Sequence, residues 1–245
     1  MRIDVLTLLI FLTALSCSSE DKKQTITTDK DTSEEMEQDA SKLKYLALGD
    51  SYTIGQSVDI KLRYPVQIAD SLEKRGYFMA APQIIAVTGW TTSDLKAGIK
   101  AANPQGPFDL VSLLIGVNNQ YRSMDINIYR KEFSDLIDQS IYLAGNDTGR
   151  VFVLSIPDWG VTRFASGYDR EKIAREIDQY NAINKEITLS KCVVWIDVTV
   201  ISKLAEQDET LVAGDGLHPS GKMYTEWVRL AVPEIVKMLL SSVTD

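Results

Sequence analysis

Apolar and polar residues along this chain fall in blocks rather than alternating singly. Five short runs, "KYLALGD", "PQIIAVTG", "FDLVSLLIG", "RVFVLSIPD" and "CVVWIDV", are nearly continuous in apolar side chains. A strand with one wet face alternates, whereas a strand covered on both faces does not, so these runs predict strands of a parallel sheet. Between them the apolar residues take helical spacing. "YPVQIADSLEKRG" carries Pro65 near its start and Gly76 just past its end, the usual asymmetry of a helix. "IYRKEFSDLIDQSIYLAG" closes at Gly145, and "DREKIAREIDQYNAINKEI" sets Ile173, Ile177 and Ile187 near one face. In the last helical stretch, "SGKMYTEWVRLAVPEIVKMLL", Pro233 is expected to kink or split the helix. Strands alternating with helices imply an α/β fold of three layers, α/β/α, with right-handed crossovers and helices on both faces of the sheet.

The amino-terminal residues follow a different pattern. "MRIDVLTLLIFLTALSC" places Arg2 before an apolar run from Val5 to Leu15, too short to span a bilayer, which reads as an export signal over 1–16. "ALSC" resembles the lipobox of bacterial lipoproteins, with Ala14 where leucine is preferred and Asp4 in the positive region. That resemblance implies acylation of Cys17 and anchorage to a membrane, with the domain outside the cytoplasm. Residues 17–42 are rich in Asp, Glu, Lys, Thr and Ser, a composition that cannot bury enough surface to order itself, and they read as a tether. The folded part is expected over 43–245, about 200 residues, enough for one well-buried core.

Composition narrows the function. A formal net charge of −8 argues against a nucleic-acid partner, and contact with a membrane is expected only through the N-terminal anchor. The only other cysteine, Cys192, lies in an apolar run and reads as a small core residue. One histidine and no cysteine cluster offer poor metal-ligand spacing, so neither a metal nor another cofactor is expected.

That histidine, His218, stands three residues after Asp215 in "AGDGLHPSGKMY". In a parallel α/β sheet, sites gather beyond the carboxyl ends of the strands. Ser51 follows the first predicted strand, Gly89 the second and Asn118 the third, while Asp215 and His218 lie past the fifth. Serine, histidine and aspartate are the ingredients of an activated nucleophile: histidine takes the hydroxyl proton, and the carboxylate fixes its tautomer. The amides of Ser51 and Gly89 and the side chain of Asn118 are candidate donors to an oxyanion. Pro219 suits the first turn of a following helix, which would hold Asp215 and His218 on one rigid element.

"GDS" after the first strand, glycine after the second, "GVNN" after the third and "DGLHP" before the last helix resemble, in the same order, the blocks of the SGNH hydrolases, or GDSL-type esterases and lipases. The resemblance spans the whole folded part. It implies a flavodoxin-like fold with five parallel strands, Ser51 as nucleophile, His218 as base, Asp215 as its orienter, and Ser51, Gly89 and Asn118 as the oxyanion hole. The family's third block usually reads Gly-x-Asn-Asp, and here Asn119 replaces the aspartate. The hydrogen bonds supporting that loop are therefore expected to differ while the role of Asn118 survives.

Tyr52, Trp90, Tyr121 and Trp159, with Phe164 and Tyr168, are candidates to line a substrate pocket. Asp50 reads as a turn aspartate. An α/β-hydrolase elbow is excluded because Thr53 stands where its second glycine belongs. A flavin carrier would leave Asp215 and His218 without a purpose, and a non-catalytic glycan-binding module would leave the triad unused. The expectation is a serine esterase acting on a small-molecule, glycan or lipid ester.

Overall fold

The computed structural model describes residues 42–241. The export signal, Cys17 and the tether as far as residue 41 lie outside the described residues.

Each apolar run becomes a strand: β1 (Tyr45–Gly49), β2 (Gln83–Ala86), β3 (Leu110–Leu114), β4 (Val151–Leu154) and β5 (Val194–Ile196). All neighbours pair in parallel, in the order β2-β1-β3-β4-β5. β1, β3 and β4 are buried over their whole length, as unbroken apolar runs require. The helices are α1 (Ser51–Ile54), α2 (Tyr64–Glu73), α3 (Thr92–Ala102), α4 (Val117–Tyr121), α5 (Ile126–Leu143), α6 (Arg170–Ser190), α7 (Thr199–Ser202) and α8 (Gly221–Ser241). α2 and α8 pack together on one face of the sheet, and α3, α5 and α6 succeed one another on the other. Between α2 and α8 lies Trp227, 1% exposed, its ring against Tyr64 and Tyr224. Burying a large aromatic in this way contributes roughly 2–3 kcal/mol.

Register levels the strand ends. Gly49 lies opposite both Ala86 and Leu114, so the connections leaving β1, β2 and β3 emerge at one height. The order reverses between β1 and β3, and a crevice opens where it does. A Cβ on Gly49 would sit 2.4 Å from the Leu114 carbonyl oxygen and 2.1 Å from Thr53 Oγ1, so the tight exit from β1 needs glycine.

The structure corrects three expectations and adds a helix that the pattern left out. α8 runs unbroken through Pro233, because that residue and Arg229, whose carbonyl loses its helical partner, both lie on the exposed side. The same helix begins at Gly221, so Pro219 precedes its first turn. Cys192 is exposed rather than in the core. It takes φ 56° at the end of α6, where the chain needs a left-handed residue to turn into β5. Finally, α3 was not singled out by periodicity because only Leu95 and Ile99 carry its apolar stripe, yet Thr91 and Asp94 cap it reciprocally.

Candidate active site

Five residues from four separate connections meet in the crevice. Ser51 opens α1, held there by Asp50, whose Oδ1 accepts from the Tyr52 amide at 3.0 Å. Gly89 occupies a turn closed by the Trp90 amide on the Val87 carbonyl at 3.2 Å. Its φ of +87° favours glycine, since a side chain there would be strained. Asn118 lies in the first turn of α4, and its Nδ2 donates to the Trp90 carbonyl at 2.9 Å. An amide group carries two N–H bonds, so one remains for the crevice.

Asp215 and His218 form a close pair. The His218 Nδ1 lies 2.7 Å from Asp215 Oδ2. A carboxylate accepts only, so Nδ1 carries the proton and Nε2 is left as the acceptor. Asp215 Oδ1 in turn accepts the amides of Leu217 at 2.9 Å and His218 at 3.0 Å. Burial pushes the Asp215 carboxyl up, but the bonds from Ser57, Leu217 and His218 outweigh it and hold the group well below the usual carboxylate range. Ser57 was missed at the level of sequence. Its Oγ donates to Asp215 Oδ2 at 2.6 Å across 158 positions of chain, a contact no local pattern announces.

Asn119, in place of the family's aspartate, is fully buried. Its Oδ1 accepts from the Thr92 amide at 3.1 Å and its Nδ2 donates to Thr92 Oγ1 at 2.8 Å. The single Thr92 hydroxyl proton goes to Glu132. That hydroxyl therefore needs a donor from position 119, which asparagine supplies and an ionised aspartate does not.

Ser51, Gly89, Asn118 and His218 line one pocket of about 180 Å³, walled by Val117, Tyr121, Trp159, Phe164 and Leu217. Among the described residues, Ser51 Oγ and His218 share this pocket with no hydrogen bond between them. Of the aromatic candidates, Tyr52, Tyr121, Trp159 and Phe164 border the pocket. Trp90 does not: its indole lies across Gly98 of α3, where a Cβ would come within 2.2 Å of the ring. Tyr168 reaches the cluster through Tyr121, the two hydroxyls 3.1 Å apart. Two larger clefts, of 830 and 610 Å³, contain none of these five residues. Among the described residues no group of three or more His, Cys, Asp or Glu side chains is placed to hold a metal ion.

Asp50 is buried beneath the serine with Oδ2 unpartnered, and burial pushes its carboxyl up to about 7. A raised carboxylate pKa favours the folded state most when the group is protonated, so its contribution falls as pH rises from about 4 to about 7 and is flat beyond. Asp50→Asn keeps the acceptor for the Tyr52 amide and removes the titration. The variant's stability advantage over wild type should grow across that window by on the order of a few kcal/mol. Urea unfolding at pH 5 and pH 8 measures it, and parallel curves for the two proteins would contradict the assignment.

A doubly wound α/β sheet with polar groups gathered on one edge is a layout that ester hydrolases use. Residues 47–225 match the profile of the GDSL-like lipase/acylhydrolase family, and the chain belongs to that family, which makes it a carboxylic ester hydrolase. No curated protein sequence matches the chain significantly. Among solved structures it is similar to TesA, at 15% identity and a TM-score of 0.64 over 80% of this chain and 99% of that one. An acetyl-xylooligosaccharide esterase from Geobacillus stearothermophilus shares 20% identity at a TM-score of 0.59, over 80% and 94% of the two chains. The lipase/acylhydrolase of Enterococcus faecalis gives 20% and 0.59, over 79% and 95%. At these identities the likeness establishes the fold.

Proposed function

We propose that this protein cleaves carboxylic esters through an acyl-enzyme on Ser51. His218 Nε2 takes the hydroxyl proton as Ser51 Oγ attacks the ester carbonyl. The oxyanion is received by the amides of Ser51 and Gly89 and by Asn118 Nδ2, and Asp215 stabilises the imidazolium that forms. His218 then protonates the leaving alkoxide, and water repeats the sequence on the acyl group. The observation that carries this reading is the 2.7 Å His218–Asp215 pair opening onto the same pocket as Ser51, Gly89 and Asn118.

The pocket's aromatic wall and small volume favour an uncharged ester with a compact acyl or alcohol group. An acylated carbohydrate is the substrate we favour: it suits a domain exported and tethered by acylated Cys17, and a structural relative bears the name of an acetyl-xylooligosaccharide esterase. A fluorophosphonate probe tests the chemistry on the full chain. Wild type should label, and Ser51→Ala and His218→Ala should not. A folded wild type that resists the probe would put the glycan-binding alternative in its place.

A further inference from the structure

The oxyanion hole assigned above depends on a residue with unusual freedom. Gly89 has no side chain to pack, and a Cβ built on it would find a single atom within 4 Å, Arg122 Nη2 at 3.6 Å. Glycine samples more backbone conformations than any other residue, so a donor placed on it must be held from outside. α4 supplies the hold twice. Asn118, in its first turn, donates to the Trp90 carbonyl at 2.9 Å, and Arg122, just past its last, donates through Nη2 to the Gly89 carbonyl at 2.6 Å. Two successive carbonyls of the turn are thereby fixed to one rigid element.

The guanidinium is itself aimed. Its Nη1 lies 3.9 Å from Asp94 Oδ2, and that oxygen accepts from the Thr91 amide at 2.9 Å and the Thr91 hydroxyl at 2.8 Å in the cap of α3. Arg122 thus ties the turn to the helix on each side of it. Its side chain is 52% exposed, and a half-exposed ion pair contributes little to stability. A short charged hydrogen bond to the backbone beside an oxyanion donor serves geometry instead.

Resting on the acyl-enzyme reading, we propose that Arg122 is a positioning residue: it holds the Gly89 carbonyl so that the Gly89 N–H and Asn118 Nδ2 keep the separation an oxyanion requires. The test compares wild type, Arg122→Ala, Arg122→Lys and Ser51→Ala as full chains. Two readouts are taken, steady-state turnover of p-nitrophenyl acetate and the rate constant for fluorophosphonate labelling, which also passes through a developing oxyanion. Arg122→Ala should lose about tenfold to a hundredfold in kcat and in labelling rate, with KM within about twofold. Methylguanidinium should restore part of the loss in Arg122→Ala, and Arg122→Lys, a point charge without the planar fork, should fall between alanine and wild type.

Wild-type kcat and labelling rate in Arg122→Ala, alongside an inactive Ser51→Ala, would overturn this inference alone. A loss carried mainly by KM, or one that methylguanidinium does not touch and that follows a lowered melting temperature, would overturn it too. Full turnover and labelling in Ser51→Ala would instead remove the acyl-enzyme reading on which it rests.

Discussion

Ser51→Ala and His218→Ala should each lower kcat toward a short-chain ester by on the order of 10⁴- to 10⁶-fold, and the double variant should be scarcely worse than either. The reason is geometric. The His218 base has no proton to take once the Ser51 hydroxyl is gone, and a serine without its base is an ordinary alcohol. Each loss therefore empties the same step, and the effects cannot add. Neither change should unfold the protein. Ser51 is small and sits at a helix start capped by Asp50 rather than by its own side chain, and His218 borders an open pocket. Steady-state turnover, with circular dichroism to verify the fold, decides the matter. Losses that multiply in the double variant would mean that the two side chains act in separate steps.

Asn118→Ala should cost about a hundredfold to a thousandfold in kcat with KM nearly unchanged, the usual consequence of losing one oxyanion donor. The amide has two tasks here, one N–H on the Trp90 carbonyl and the other toward the pocket. Asn118→Asp separates shape from hydrogen bonding. It preserves the size of the side chain but, when ionised, offers only acceptors, both to the Trp90 carbonyl and to the developing negative charge. It should be at least as impaired as alanine. Full activity in Asn118→Ala would take this residue out of the oxyanion hole. The Asn118 and Arg122 variants also inform each other: both hold the same turn, so their combined effect should fall short of the product of the two.

Much of this molecule was legible before its fold was known, for reasons that lie in local physics. Short continuous apolar runs bounded by turn residues favour strands covered on both faces, and all five became strands of the parallel sheet, β1, β3 and β4 buried throughout. A residue two to four positions past a strand end stays near that end whatever else happens, so Ser51, Gly89 and Asn118 could be placed on one edge once the strands were parallel and level. Asp215 and His218, three residues apart, could pair through a single turn of chain. α3 escaped the same reading, because only Leu95 and Ile99 carry its apolar stripe; the structure shows its start in the reciprocal cap of Thr91 and Asp94.

Contacts that join distant segments were decided only by the tertiary structure. The bond from Ser57 to Asp215, the clamp of Arg122 on Gly89 and the exchange between Asn119 and Thr92 each link side chains whose positions along the chain carry no common period. The same holds for Trp90, drawn over Gly98 because a bare helix face lay within reach. Cys192 reads as a core residue in its apolar run, but the end of α6 demanded a left-handed turn at that point and carried it to the surface. What the sequence by itself determined was therefore the order of the elements and which residues stand at the strand ends, because those depend on neighbours a few positions apart. Which side chains support the site and wall its pocket depended on packing between elements, and only the folded chain brings those together.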